Sequence, residues 1–425
     1  MVNPTLPGAS LTTGPVDWQL LQQSAAGVVG FDLAGVYRCV AADLRVEARL
    51  VHQDDGRPVA GHDWSAAELE PDARWRLRWP AVPAGGLYRL ETRVWRDGVA
   101  DIRPTRGDFV HHLGVGDLWV IAGQSNASGT GLGSAADPPT LGVHLFGNDE
   151  VWKLATHPLE DATRTLHPVT VHGVFQGHAP WLAFGRRLQQ RLGYPIGLIP
   201  TALGGSPLAM WQPDRQGVLF DNMLAMVQAA GGRVRGLVWY QGESDCQPGS
   251  CEDYAARFAG FVAAVREALG VPDLPILTAQ LSRFTGPTTA SQERCWSLLR
   301  EAQRQAAQAS NVSLVPAIDL PLSDEIHVST AGNVQLGERF AQTALRVVHG
   351  LAEPPAYLAL QSLEWLPEQP SRLRCAFTRP AAGWCRPGPI GDFALEDATG
   401  LATVAVVGLD DAGRVDLELP RQPVG

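Results

Sequence analysis

From about residue 115 onward, short apolar runs alternate with amphipathic helical patterns, and this narrows the possible folds more than any other feature of the chain. Five of the runs read as strands: DLWVIA from Asp117, IGLIPT from Ile196, VRGLVWY from Val234, PILTAQL from Pro275 and VSLVPAI from Val312. Apolar runs of this length without polar alternation suit strands covered on both faces. Between and after them, WLAFGRRLQQRLG, YAARFAGFVAAVREALG, CWSLLREAQRQAAQA and VQLGERFAQTALRVV carry helical spacing. Such alternation builds a parallel sheet with helices on both sides. The predicted centre is a three-layer α/β/α domain of about five parallel strands, over residues 115–350.

The two flanks have a different texture. Residues 1–114 contain strand-like runs such as LRVEARLV, ARWRLRW and GLYRLETRVW, divided by Gly, Pro and Asp turns. They predict an N-terminal β-sandwich-like domain. After AEPPAY the runs RLRCAF, DFALEDATG, ATVAVVGLD and RVDLELP predict a second β-sandwich-like domain, whole or partial, over 351–425. Three domains accord with a length of 425 residues.

A formal net charge of -10, with no run of Lys or Arg, offers no field for phosphates, so nucleic acid is not an expected partner. No apolar run is long enough to span a bilayer, so no membrane partner is expected either. The start MVNPTLPGAS lacks a basic segment followed by an apolar one, which points to a cytoplasmic protein if the chain is complete. Cys39, Cys246, Cys251, Cys295, Cys375 and Cys385 are too scattered for a disulfide framework or a zinc site. Free thiols are expected, although Cys246 with Cys251, and Cys375 with Cys385, are near enough in sequence to pair.

Ligands of an open α/β sheet bind beyond the carboxyl ends of its strands, so the residues that follow each run deserve the closest reading. After the first run, Gly123-Gln124-Ser125-Asn126 sets a serine in a tight strand-to-helix turn, where it serves either as a helix N-cap or as a nucleophile. The pattern G-x-S-x-G fails at Ala127, which excludes an α/β-hydrolase elbow. The second run leads into Gly204-Gly205-Ser206, where small residues let backbone N–H groups approach a developing oxyanion. The third ends in Gln241-Gly242-Glu243-Ser244-Asp245. Gln241 there can aim an amide N–H into the site, and the two acids either organise the loop or assist a base, with Glu243 favoured as structural. Beyond the fifth run come Asp319 and then Asp324-Glu325-Ile326-His327. An acid three residues before a histidine can hold its Nδ1–H and leave Nε2 to take a proton from serine.

Taken in order, GQSN, the GGS turn, WYQGESD and DEIH resemble the conserved blocks of the SGNH hydrolases, in the branch of sialate O-acetylesterases and acetylxylan esterases. AGGLYRLETRVW with its lead-in to GDLWVIAGQSN also resembles the β region ahead of the catalytic domain in sialate O-acetylesterases. The likeness covers residues 80 to 350 well and the ends loosely. It implies Ser125 as nucleophile, His327 as general base and acid, and Asp324 as the orienting carboxylate. The N–H groups of Ser125 and Gly205 and the side chain of Gln241 would form the oxyanion hole. Gln241 stands where many SGNH relatives have Asn, as this sugar-esterase branch does.

The expected activity is removal of acetyl groups from O-acetylated saccharides, with sialic acid as one substrate class and acetylated xylan or another plant glycan as the alternative. A non-catalytic carbohydrate-binding protein is the rival of another class. Trp211 and Trp181 are placed either to stack on a sugar ring or to fill the core, and Asn148 is placed to bind a substrate hydroxyl. His157, His167, His172 and His178 show no metal-ligand spacing, so neither a metal nor an organic cofactor is expected.

Overall fold

The computed structural model describes residues 8–38, 44–96, 105–171, 176–354, 358, 360–378, 393–410 and 412–420. Of the residues singled out above, Cys39, His172 and Cys385 lie outside these. The chain divides into two units, Met1–Ala341 and Gln342–Gly425.

In the first unit, the ARWRLRW run forms the strand Arg74–Pro83. Its period of two turns Trp75 and Trp79 inward, and it leaves Arg76 and Arg78 outside to meet Glu68 and Asp32 of the neighbouring strands. This strand lies in a four-stranded antiparallel sheet with Gly8–Thr13, Val28–Arg38 and Glu68–Glu70. Across from it, Leu44–His52 and Gly85–Arg96 contribute Val46, Leu50, Leu90 and Val94 to the same apolar cluster.

Gly85–Arg96 pairs with a 19-residue strand, Thr105–Gly123. The first half of that strand belongs to the β region. From Asp117 its second half lies between Ile196–Pro200 and Gly236–Tyr240 in the parallel sheet. The expected boundary at Gly114 therefore falls inside one continuous strand, and the β region is welded to the parallel sheet through the backbone hydrogen bonds of that strand.

The parallel part of the sheet runs Val143–Phe146, Ile196–Pro200, Thr105–Gly123, Gly236–Tyr240, Ile276–Gln280 and Val312–Pro316, with Trp152–Leu154 antiparallel at one edge. All five expected strands are present. The strands missed are Val143–Phe146 and Trp152–Leu154, whose four and three residues are too few to show a pattern. The helices are α1 (Ser125–Ser128), α2 (Trp181–Leu192), α3 (Val218–Ala229), α4 (Tyr254–Leu269), α5 (Ala290–Ala306) and α6 (Thr330–Val347). Trp239 pairs with Ala122, three positions from Trp119, so the two indoles point to opposite faces of the sheet. Trp119 meets Phe184 of α2, and Trp239 meets Phe258 and Phe261 of α4, which gives the three layers. Capping fixes some helix limits: Thr289 and Gln292 form a capping box at the start of α5, a device worth about 1 kcal/mol.

The central strand Thr105–Gly123 is where strand order reverses, since the chain moves to one side for the next two parallel strands and to the other for the last three. A crevice opens at such a switch point. In the second unit, Leu360–Leu366, Gln369–Phe377, Ala405–Leu409 and Arg414–Glu418 form a four-stranded antiparallel sheet around Cys375, Val415 and Leu417. Among the described residues no helix is long and apolar enough to cross a membrane.

Candidate active site

The first strand ends at Gly123 with φ +131°, where a Cβ would stand 2.1 Å from the carbonyl oxygen of Tyr240. Only glycine fits so close to the neighbouring strand. The chain then turns into α1, a single helical turn that opens with Ser125. Gln124, not Ser125, occupies the N-cap position. Its Oε1 accepts N–H groups from Gly242 at 3.3 Å and Ser244 at 3.1 Å, tying the serine turn to the loop beyond Gly236–Tyr240.

With no cap to make, the Ser125 hydroxyl meets His327 Nε2 at 3.0 Å. On the other side of the ring, His327 Nδ1 lies 2.6 Å from Asp324 Oδ2. Asp324 Oδ1 accepts the backbone N–H groups of Ile326 at 2.8 Å and His327 at 2.7 Å, so the acid fixes both the ring and the turn that carries it. Partial burial works to raise the Asp324 carboxyl, but the His327 hydrogen bond and these backbone donors outweigh it and hold the group below the usual carboxylate range. The other acid expected near here, Asp319, forms a two-pronged pair with Arg339 at 2.7 and 2.6 Å and takes no part in the cleft.

Asn126 is a residue whose importance the sequence reading passed over. Its Oδ1 accepts the N–H of Val328 at 2.9 Å, and its Nδ2 donates to the carbonyl of Ile326 at 3.3 Å, so it grips the chain on either side of His327. Nδ2 also donates to Glu243 Oε1 at 2.7 Å. Glu243 is 8% exposed, and burial pushes its carboxyl up despite the Asn126 bond. Thus Glu243 lines the cleft and, through Asn126, braces the backbone on either side of His327. The available signal was a second hydrogen-bonding side chain in the GQSN turn.

Leu203, Gly204 and Gly205 form the opposite wall, with Thr130, Val171, Ser244 and Ile326 completing the described lining. Gly205 has φ +72° and open space where a Cβ would stand, so glycine is required by the backbone and not by crowding. The turn is pinned from beneath by Glu160, whose Oε1 accepts the Ala202 N–H at 2.6 Å. Burial pushes the Glu160 carboxyl up to about 8. Nothing in the patternless stretch around Glu160 marks it in the sequence.

Gln241 and Asn148 differ from expectation, while Trp211 and Trp181 take the core alternative left open for them. Gln241 does not reach the cleft: it is fully buried, and its Nε2 donates to Asp245 Oδ2 at 2.7 Å and the Ser206 carbonyl at 3.2 Å, while Oε1 accepts from Tyr254 Oη at 3.0 Å. An amide whose hydrogens are already spent beneath the floor has none for an oxyanion. Trp211 is also fully buried, packed on Trp239 and Phe261 with its Nε1 donating to Ser206 Oγ at 3.1 Å, so it offers no face to a sugar. Asn148 is buried too and donates to Glu160 Oε2 at 3.1 Å, supporting the Gly205 turn from behind. Trp181 lies in the core and donates to the Ala127 carbonyl.

Folding also gathers residues that no spacing connected. His157 Nε2 and His178 Nε2 each lie 3.0 Å from Asp137 Oδ2, and Arg186 pairs with Oδ1 of the same carboxylate. Burial works to raise the Asp137 carboxyl, but these partners hold it well below the usual range. The Asp137–His157–His178 atoms are close enough to ligate a cation. Arg186 already neutralises the acid, and the Ala179 N–H points to His157 Nδ1 at 3.5 Å, which favours the proton on Nε2 and a hydrogen-bonded network.

Residues 115–346 match the carbohydrate-esterase family described as sialic acid-specific acetylesterase. A probable carbohydrate esterase of Arabidopsis thaliana is 30% identical over 245 residues, which are 54% of this chain and 90% of the plant protein. The sialate O-acetylesterase of Homo sapiens is 28% identical over 174 residues, and the match covers 32% of each chain. A crystal structure of a carbohydrate acetylesterase from Xanthomonas citri superposes with a TM-score of 0.64 over 99% of this chain and 92% of that one, at 20% identity, and so shares the fold. With the family matched across more than half its length, this chain belongs to the sialic acid-specific acetylesterase family of carbohydrate esterases.

Proposed function

We propose that this carbohydrate O-acetylesterase works through a covalent acetyl–Ser125 intermediate, with His327 as proton carrier and Asp324 as its orienting acid. One observation carries the reading: the unbroken chain from Ser125 Oγ to His327 Nε2 at 3.0 Å, and from Nδ1 to Asp324 at 2.6 Å. As Oγ attacks the acetyl carbonyl, Nε2 takes its proton, and the imidazolium formed is held by the Asp324 carboxylate. The sugar oxygen leaves with that proton. Water, deprotonated in turn by His327, releases acetate and restores Ser125.

The tetrahedral oxyanion faces two backbone donors in this reading. Ser125 N–H is one of the first-turn groups of α1, which by helix geometry lack an intrahelical acceptor, and Gly205 N–H comes from the facing turn. Gln241 supports that floor without touching the charge. A proton carrier contributes about 10² to 10⁴ in rate and one oxyanion donor about 10² to 10³. The N-terminal β region and the second unit are each read as sandwich-like.

A second observation bears on the sugar. Glu243 lines the cleft beside Ser125, and the described lining carries no Lys or Arg. A sialate carboxylate would meet no cation among these residues, which favours neutral acetylated saccharides such as xylan fragments over sialic acids. Hydrolysis of 4-nitrophenyl acetate by wild type and by Ser125→Ala tests the chemistry. Loss of at least 10³-fold in kcat is expected on the order-of-magnitude scale of such nucleophile deletions; equal rates would overturn the serine mechanism.

A further inference from the structure

We infer that Cys251 and Cys295 are the two ends of a disulfide that forms when this protein meets an oxidant. The two thiols come from segments 44 residues apart, and their Sγ atoms lie in direct contact at 2.6 Å. Cys251 sits just ahead of α4 and Cys295 in the first half of α5. Both are buried, at 2% and 3% exposure, so the pair is screened from other thiols by packing. Neither sequence spacing nor the chemistry of the cleft calls for this contact; the sequence led us to expect free thiols, with Cys246 as the local alternative for Cys251.

The oxidant is a small disulfide of the glutathione class. One thiolate of the pair attacks a sulfur of oxidised glutathione, forming a mixed disulfide and releasing one glutathione thiol. The second thiolate then attacks the protein sulfur of that mixed disulfide, closing the Cys251–Cys295 bond and releasing a second glutathione thiol. Two electrons and two protons pass to the glutathione, which balances the step. Burial pushes the Cys251 thiol up to about 12, so little thiolate is present at neutral pH and exchange in the folded protein is slow. The redox surroundings during folding therefore decide the state.

Closing the bond staples a segment that the site depends on. Beside Cys251, the Ser250 carbonyl accepts from Arg257, which also holds Asp245 Oδ1 at 3.0 Å. Asp245 Oδ2 in turn accepts Gln241 Nε2 and the Leu208 N–H at 2.8 Å, joining the loops on either side of the floor. On the other end, α5 contributes Gln303, whose side chain bonds the Gln241 carbonyl at 3.0 Å and the Leu281 N–H at 3.0 Å. The cross-link thus ties together the two supports of the Gln241 loop.

The test refolds and equilibrates the full chain in glutathione buffers from fully reduced to fully oxidised, followed by acid quench, denaturation, alkylation and peptide mapping. In the oxidised buffer the peptides holding Cys251 and Cys295 should be joined, with the pair about 2 Da lighter than its two thiols. Tm should rise by roughly 5 °C or more over the reduced form, as closing a loop of this length implies. Cys295→Ser should keep the reduced Tm in both buffers and leave Cys251 open to alkylation. Alkylation of both thiols at every redox poise would overturn the inference, as would linkage of Cys251 to Cys246 or retention of a zinc ion by the Cys251–Cys295 pair.

Discussion

Two acids flank His327, and they are used in opposite ways. Asp324 lies on an open turn with its side chain 47% exposed, touches the ring directly, and is held below the usual carboxylate range. Glu243 is buried, bonds Asn126, which in turn holds the backbone on either side of His327, and is pushed above its ordinary value. The acid that must stabilise a transient positive charge keeps its own charge through direct hydrogen bonds, including two from the backbone. The acid that locks the framework has lost water and gained one neutral amide. Exposure alone would have assigned the roles the other way, because catalytic groups are so often the buried ones.

The sharpest way to break this comparison is to neutralise each acid in turn. Asp324→Asn should lower kcat on an aryl acetate by about 10²- to 10⁴-fold with Tm nearly unchanged, since the wrong ring tautomer is then favoured. Glu243→Gln keeps an acceptor for Asn126 and should cost less than about tenfold. If the two results were exchanged, Glu243 would be the orienting acid.

A smaller effect separates floor from wall. Gln241→Leu removes the bonds to Asp245, Ser206 and Tyr254 and should destabilise the protein by about 1 to 3 kcal/mol, read as a lower denaturation midpoint. Its kcat at a temperature where it stays folded should fall less than about tenfold, whereas loss of a true oxyanion donor costs about 10² to 10³. A fall of that size would restore Gln241 to the cleft.

The smallest effect is one of pH, and the two kinds of acid give it opposite signs. Asp324, depressed in the folded state, contributes stability above the ordinary Asp value of 3.8 that is lost as pH falls through its lower folded value. Glu243 and Glu160 are raised, so the folded state holds their protons longer than the unfolded chain does. Their contribution is full below 4.5 and is lost as pH rises, for Glu160 through about 8. Glu160→Gln should therefore flatten the decline of Tm between pH 5 and pH 8. An unchanged slope would mean that Glu160 is ionised in the folded protein.

Much of the site was readable because its parts are local. Ser125 follows a strand within two residues, and Asp324 and His327 share one turn, so the chain pattern and the offset carry the information. The residues that were misplaced or missed answer to other segments. Gln241 was drawn down to Asp245 and Tyr254, and Asn148 to Glu160, in each case because a buried polar group takes the partner that packing supplies. The strand at Val143–Phe146 escaped because four residues show no periodicity, and the boundary at Gly114 because a change of texture along a strand does not interrupt its hydrogen bonds.

By itself the sequence determined the α/β class, the five strands that carry the site, and the three residues that meet in the hydrogen-bonded chain, since apolar periodicity, turn chemistry and short offsets are properties of neighbouring residues. Only the tertiary structure decided which of the remaining side chains face the cleft and which cysteine meets Cys251. Those outcomes depend on contacts that local pattern does not connect, such as that of Cys251 with Cys295, 44 residues apart, and burial at such contacts sets both the hydrogen-bond partner and the charge state of each group.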